Sequence, residues 1–409
     1  MDILLNVLAD KKIEEEITIS GSKSESNRLL ILQKLFPEIT IDNLSDSDDS
    51  VHMHHALTTK DLLVDIGHAG TAMRFLTSYF AVNRGREVIL TGSERMQNRP
   101  IEILVNALKD LGADITYVEK HGYPPLKIKG KELTENKVQI NGNVSSQYIS
   151  SLLLIASKLD KGLEIELIGK ITSVPYIKMT LSLLSQIGIE SSFQENIIKV
   201  FPKETIKTQT VVVESDWSSA SYFYSIVALA DLGSEIKLSA YKEESLQGDS
   251  CLADIYNHFG VTTTFGNDSI TLKKEKNTSQ ETLVRNLKDA PDIAQTIAVT
   301  CFAEGIACHL SGLHTLKIKE TDRLVALHDE LTKLGAKVSI TDETLEVEKV
   351  LNINSNIAID TYNDHRMAMA FAPLALKVSI KINDAEVVTK SYQKFWKDME
   401  QIGVNITHL

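Results

Sequence analysis

Cations gather at the starts of several apolar segments of this chain. Gly21-Ser22-Lys23-Ser24-Glu25-Ser26-Asn27-Arg28 places a Lys, several hydroxyls and an Arg within about two helical turns. Arg95-Met96-Gln97-Asn98-Arg99-Pro100 holds two arginines, and Lys319-Glu320-Thr321-Asp322-Arg323 predicts a helix opening with Lys319 and Arg323 at i,i+4 on one face. Asn363-Asp364-His365-Arg366 and Lys390 follow. Phosphate binding is the natural use of the first segment, whereas taken singly the Arg95–Pro100 and Lys319–Arg323 clusters read as solvated faces. Their number argues for anion ligands, because buried helix starts rarely collect so many cations without an anion to pair. Phosphate and carboxylate are the chemistry that Arg, Lys and hydroxyl groups serve best. A Walker phosphate loop is excluded, since Ser22 rather than Gly precedes Lys23. Ser20-x-x-Lys23 matches the acyl-serine spacing, but no S-D-N or K-T-G partner follows in a sensible position.

The elements that must carry these residues repeat. LKDLGADI, LSQIGIE, YNHFGVTTTF, LTKLGAKVSI and MEQIGVNI each end an amphipathic helix on an apolar residue plus Gly, then resume as a strand. The glycines, Gly112, Gly188, Gly260, Gly335 and Gly403, are 76, 72, 75 and 68 residues apart, and Gly at a helix C′ position takes φ > 0 without penalty. Out of phase run GSKSESNRLLIL, HAGTAMRFLTSYFA, NVSSQYISSLLLIA, SDWSSASYFYSIVALA, DAPDIAQTIAVTCFA and NDHRMAMAFAPLAL. Each is a polar start opening a nearly apolar, hence buried, helix. Six repeats of mixed α/β content follow, the first shortened, with DSDDSVHMHHAL as its second helix and DLLVDIG as what is left of its strand pair. A solenoid would repeat every 20–50 residues and more uniformly. VVVESDWSS is the one hinge-like join, so the expectation is two domains of three repeats, 22–213 and 1–21 plus 214–409. Ser, Asp and Thr at the six helix starts are expected to cap them and to aim their positive ends at one crevice.

Composition bounds the reading. The 409 residues carry 43 Lys+Arg against 55 Asp+Glu, a net charge of −12, with 43% hydrophobic residues and 6% aromatics. This is a globular profile with room for two or three domains. The acidic balance and scarce aromatics argue against nucleic acid as a partner. The amino terminus lacks a signal pattern, and no apolar run reaches about 18 residues, so no membrane partner and a cytoplasmic location are expected. Cys251, Cys301 and Cys308 have no metal spacing and read as small core hydrophobes. His52, His54 and His55 read as an exposed helix rather than a metal site.

The motifs GSKSESNR, AGTAMR, RMQNRP, VSSQY, SVPYI, KETDR and YNDHRMAM, in that order from Gly21 to about Phe395, give the chain a clear likeness. It resembles the 3-phosphoshikimate 1-carboxyvinyltransferase (5-enolpyruvylshikimate-3-phosphate synthase) family. The resemblance implies a two-domain inverted α/β barrel, each domain three βαβαββ units, with the active site in the cleft between them. It implies transfer of the enolpyruvyl group of phosphoenolpyruvate to the 5-hydroxyl of shikimate 3-phosphate through a tetrahedral ketal, with loss of phosphate. Further implications are no metal or organic cofactor, and a monomer. For shikimate 3-phosphate it points to Lys23, Ser24, Arg28, Ser145, Ser146, Gln147, Ser173, Tyr176, Asp292 and Lys319. For phosphoenolpyruvate it points to Lys23, Gly70, Arg99, Gln147, Arg323, Arg366 and Lys390. Asp292 would be the base and Glu320 the acid, assisted by Lys23, while His365 would either orient or relay protons or, equally, serve as a hydrogen-bonding residue at its helix start. From sequence alone, Asp292 after Pro291 reads as a helix N-cap.

Three positions depart from the family pattern: Thr315 where Asn usually binds the shikimate ring, His68 in place of the common Asn before AGT, and Phe75 where Pro is frequent. The sister transferase acting on UDP-N-acetylglucosamine carries a reactive Cys in the loop that here reads GSERMQNRP, which has none. A phosphate-ligand-binding homologue without catalysis would share the architecture, and binding without turnover would mark it.

Overall fold

The structure, a computed structural model, describes residues 1–8, 11–171 and 174–409. It divides into two compact units, Gly21–Val213 and Met1–Ser20 with Glu214–Leu409.

In the unit Gly21–Val213, helices Lys23–Leu35, Gly70–Val82 and Ser146–Ala156 are largely buried and touch one another. Ser78 and Ser151 share a 2.5 Å hydrogen bond, and Ser151 Oγ also donates to the Arg74 carbonyl at 2.6 Å. Small hydroxyl residues let the backbones approach closely while Ser78 and Ser151 keep their own buried hydroxyls partnered. Around this core lie βαβαββ modules. Strands Lys137–Asn141 and Leu163–Ile168 pair in parallel across helix Ser146–Ala156, and the hairpin Ser191–Gln194/Ile197–Val200 completes that sheet. Helix Glu102–Asp110 buries Leu104, Val105, Ala107 and Leu108 on one stripe, and the chain then turns at Gly112 with φ 102°.

The first repeat differs from expectation. Leu63–Asp65, the DLLVDIG segment, pairs in parallel with Glu87–Thr91 and so begins the second repeat's sheet. The first repeat keeps the helix pair Lys23–Leu35 and Asp48–Thr58 and one strand, Ile39–Asp42, which pairs in parallel with Gln209–Val212. Among the described residues it has no hairpin.

The other unit closes differently. Residues 1–20 give it two strands: Glu14–Ile17 pairs in parallel with Glu235–Ser239, and Ile3–Asn6 lies between Ile380–Ile382 and Asn405–His408. Every residue of helix Trp217–Leu229 is buried. Its Ser221 meets Thr296 at 3.0 Å, and Ser225 accepts from Thr300 at 2.8 Å, so Trp217–Leu229 and Ala294–Ala303 run parallel and in register. Cys301 and Cys308 sit in this core, whereas Cys251 is exposed, against the expectation for it. The five glycines that end the second helices all have positive φ, between 73° and 102°.

Helix starts are capped less uniformly than the sequence led us to expect. Ser145, Asp216 and Asp364 accept from backbone N–H groups of their own first turns, but Ser22 makes no such bond and Ala69 has no side chain to do so. No helix among the described residues is long and apolar enough to cross a membrane.

Candidate active site

On the unit Glu214–Leu409 the charged motifs converge on Arg323, which is only 1% exposed. Its Nε donates to Asp364 at 2.6 Å, Nη1 to Asp292 at 2.9 Å and Nη2 to Glu320 at 2.8 Å. Lys319 lies 3.3 Å from Asp292, and Lys390 donates to Glu320 at 2.7 Å. Arg366 reaches Asp292 through Nη2 at 3.4 Å to the carboxylate and Nη1 at 3.3 Å to the carbonyl.

Two local readings change here. The helix of the KETDR segment starts at Arg323, with Asp322 as its cap accepting from Leu324 and Val325. Lys319 and Glu320 therefore precede it and do not share a helical face with Arg323; they reach Asp292 and Arg323 from a non-helical turn. Asp292 is no N-cap either: it lies in the 3-10 turn Pro291–Ile293, and its carboxylate faces Arg323, Lys319 and Arg366.

These contacts set the protonation of both carboxyls. Burial pushes the Asp292 carboxyl up, but Arg366, Lys319 and Arg323 outweigh it and leave it well below the usual carboxylate range. Glu320 follows the same balance, with burial opposed by Arg323, Lys390 and His365, and is also held low. Both are anions at neutral pH. Arg366 is held above its ordinary value, burial being outweighed mainly by Asp292. Thr315 keeps its buried hydroxyl without a hydrogen-bond partner.

The unit Gly21–Val213 carries a second set. Lys23 stands 3.8 Å from Asp49. Arg28 is buried and fully engaged by protein, donating to the Ser24 carbonyl at 2.6 Å, Thr180 at 2.8 Å, Ser150 at 3.1 Å and the Tyr176 carbonyl at 3.4 Å. It also lies 5.2 Å from the Phe75 ring centroid. Burial pulls its pKa down to about 10, which leaves it charged at neutral pH. Arg28 thus ties helices Lys23–Leu35, Ser146–Ala156 and Val174–Gln186 together. The Arg99 guanidinium covers Gly70 so closely that a Cβ there would lie 2.5 Å from Nη1. Gln147 donates to Thr71 at 3.1 Å, Ser145 accepts from the Gln147 backbone, and Ser146 is buried beside them. His68 shares a 2.7 Å hydrogen bond with Ser93. Ser173 lies outside the described residues.

Each unit therefore presents a polar cluster of its own, one built on acid–arginine pairs and one on hydroxyls, amides and single cations. The EPSP synthase (3-phosphoshikimate 1-carboxyvinyltransferase) family model matches residues 56–399. The chain belongs to the EPSP synthase family. The relatives named 3-phosphoshikimate 1-carboxyvinyltransferase include that of Bacteroides fragilis strain YCH46, 44% identical over 403 residues and 97% of both chains. That of Sulfurovum sp. strain NBC37-1 is 37% identical, spanning 96% of this chain and 97% of its own. An EPSP synthase structure from Acinetobacter baumannii has the same fold, with a TM-score of 0.84 at 19% identity and full coverage of both chains.

Family membership does not by itself explain two neighbours of the acid–arginine cluster that sequence reasoning passed over. Ser218 donates to Asp249 and accepts from Arg366 Nη2 at 3.2 Å. In the sequence, Ser218 is one small polar residue in SDWSSAS, and Asp249 sits on a loop about 30 residues later, so no spacing signal joins them.

Proposed function

We propose that this chain catalyses transfer of the enolpyruvyl group of phosphoenolpyruvate to the 5-hydroxyl of shikimate 3-phosphate, a step of chorismate and aromatic amino acid biosynthesis. The observation that carries the reading is the set Arg323, Arg366, Lys319 and Lys390 gathered around two carboxylates, Asp292 and Glu320. Cations in this number suit a trianionic substrate, and the carboxylates suit proton transfer.

The reaction adds the 5-hydroxyl oxygen to C2 of phosphoenolpyruvate while C3 gains a proton, giving a tetrahedral ketal. Loss of phosphate and of a C3 proton then leaves the enol ether. In the reading, Asp292 takes the hydroxyl proton, Glu320 delivers and recovers the C3 proton, and Lys23 assists. Neither carboxyl is suited to this while its cations hold it low. Phosphoenolpyruvate competes for Arg323, Arg366 and Lys390, and each cation drawn toward substrate lets the neighbouring carboxyl rise toward a useful range.

The remaining assignments complete the reading. Ser24, Arg28, Ser145, Ser146, Gln147, Ser173, Tyr176 and Lys319 hold shikimate 3-phosphate, and Gly70, Arg99 and Gln147 assist with phosphoenolpyruvate. Arg28 then acts chiefly by fixing the Ser24 backbone, since its donors are spent on protein. The two compact units are taken as the family's two domains, and the enzyme as a cytoplasmic monomer, which sedimentation would check. The absence of Cys from Gly92–Pro100 disfavours the UDP-N-acetylglucosamine reaction.

Phosphate release from phosphoenolpyruvate, measured with shikimate 3-phosphate, with UDP-N-acetylglucosamine or with neither, tests the reading. Release only with shikimate 3-phosphate is expected. Release only with the sugar nucleotide, or none at all, would overturn it.

A further inference from the structure

Asp249 and Ser218, linked by hydrogen bonds to Arg366, have no part in the reaction as described. Ser218 is the second residue of helix Trp217–Leu229, and its hydroxyl proton goes to Asp249 Oδ2. Its lone pair therefore faces Arg366 Nη2, 3.2 Å away. Asp249 lies on the 3-10 turn Gly248–Cys251, and the loop before it is stapled down. Gln247 accepts from the Trp217 backbone at 3.0 Å and donates to the Ser215 carbonyl at 3.0 Å, and Glu214 accepts from Ser245 at 2.6 Å.

We infer that Asp249, acting through Ser218, is a positioning residue that fixes the Arg366 guanidinium for phosphoenolpyruvate. A hydroxyl has one proton, and giving it to Asp249 forces acceptance from Arg366; without Asp249 the hydroxyl can turn its proton toward the guanidinium instead. The other side-chain anchor of Nη2 is Asp292, which Arg323 and Lys319 also share and which the reaction must release to take a proton. Ser218 is then the side-chain acceptor of Nη2 that stays in place, beside the Asp292 backbone carbonyl that holds Nη1. The arrangement carries an electrostatic penalty. Burial and the nearby Asp292 carboxylate push the Asp249 carboxyl up to about 6, although Arg366 opposes them and Asp216 adds to them.

The inference rests on Arg366 binding phosphoenolpyruvate. The test measures KM and kcat for phosphoenolpyruvate, at saturating shikimate 3-phosphate, in Ser218→Ala, Asp249→Ala, Asp249→Asn and the Ser218→Ala/Asp249→Ala double variant, with Arg366→Lys as reference. KM is expected to rise at least fivefold in each single alanine variant, with kcat and the KM for shikimate 3-phosphate within twofold of wild type. The double variant should be no worse than the worse single one, and Asp249→Asn, which keeps an acceptor for the hydroxyl, should recover most of the loss. A KM within twofold of wild type in either alanine variant, or multiplied effects in the double one, would overturn the inference. Should Arg366→Lys itself leave KM unchanged, the assignment of Arg366 fails; a defective Arg366→Lys beside a silent Ser218→Ala removes this inference alone. Thermal midpoints of the variants separate misfolding from mispositioning.

Discussion

Arg323 has three carboxylate partners and almost no contact with water, so its removal leaves Asp364, itself 0% exposed, without its strongest countercharge. Arg323→Met is expected to lower unfolding free energy by about 3–5 kcal/mol, read from denaturant titration, beyond any loss of activity. Asp292→Asn and Glu320→Gln should instead keep substrate binding while kcat falls about 10²–10⁴-fold; near-normal turnover in either would free that residue from its role. The stability of the two kinds of carboxyl depends on pH with opposite sign. Asp292 and Glu320, held low, stabilise the fold above the ordinary carboxylate range and lose that contribution as pH falls. Asp249, raised from 3.8 to about 6, contributes fully below pH 4 and loses its contribution as pH rises through 6. Asp249→Asn should accordingly be about 1–3 kcal/mol more stable than wild type at pH 8, with the gain gone below pH 4. Arg323 and Arg366 were legible in the sequence because cations at apolar helix starts stand out; Lys319 and Lys390 drew notice as cations although neither opens a helix. The partnership of Asp364 with Arg323, and of Asp249 with Ser218, was not, because each depends on elements that meet only through the fold.

Glycine periodicity was the most legible feature at the level of elements, since a residue at positive φ after a helix has few alternatives to Gly. Capping was less so, because a Ser or Asp before a helix can equally turn to another partner, as the Asp292 carboxylate does with Arg323, Lys319 and Arg366. Strand ownership was misjudged at Leu63–Asp65, where three residues are too few to reveal which sheet they join. Two glycines make predictions of different kind. At Gly70 a methyl would strike the tip of a flexible Arg99 side chain, so Gly70→Ala should change stability by less than about 1 kcal/mol while raising KM for phosphoenolpyruvate. At Gly21 a Cβ would sit 1.9 Å from the Asn43 carbonyl and 2.7 Å from Val213, backbone and core that cannot swing away. Gly21→Ala should therefore destabilise by about 1–3 kcal/mol or more in a thermal or denaturant melt.

Charge is distributed unevenly over the whole molecule in a way the net −12 conceals. In the unit Gly21–Val213 the buried helices begin at Ser22, Ala69 and Ser145, uncharged residues that leave the helix dipoles free to attract an anion. In the other unit Asp216 and Asp364 already occupy two such ends, and arginine and lysine side chains supply the positive charge instead. That unit also depends on residues 1–20 for one strand in each of two sheets. The fragment 21–213 is expected to unfold cooperatively by itself, whereas 214–409 should do so only when residues 1–20 are supplied, as circular dichroism melts would show. This dependence has a consequence during synthesis. Ile3–Asn6 cannot find Ile380–Ile382 and Asn405–His408 until those strands have been made, about 200 residues after Val213 has been added. At about 5–20 residues per second the first strand waits roughly 10–40 seconds beyond completion of the unit Gly21–Val213. Throughout that interval Ile3, Leu4 and Leu5 are an apolar segment lacking both of its strand partners, exposed to the off-pathway pairing that a chaperone prevents.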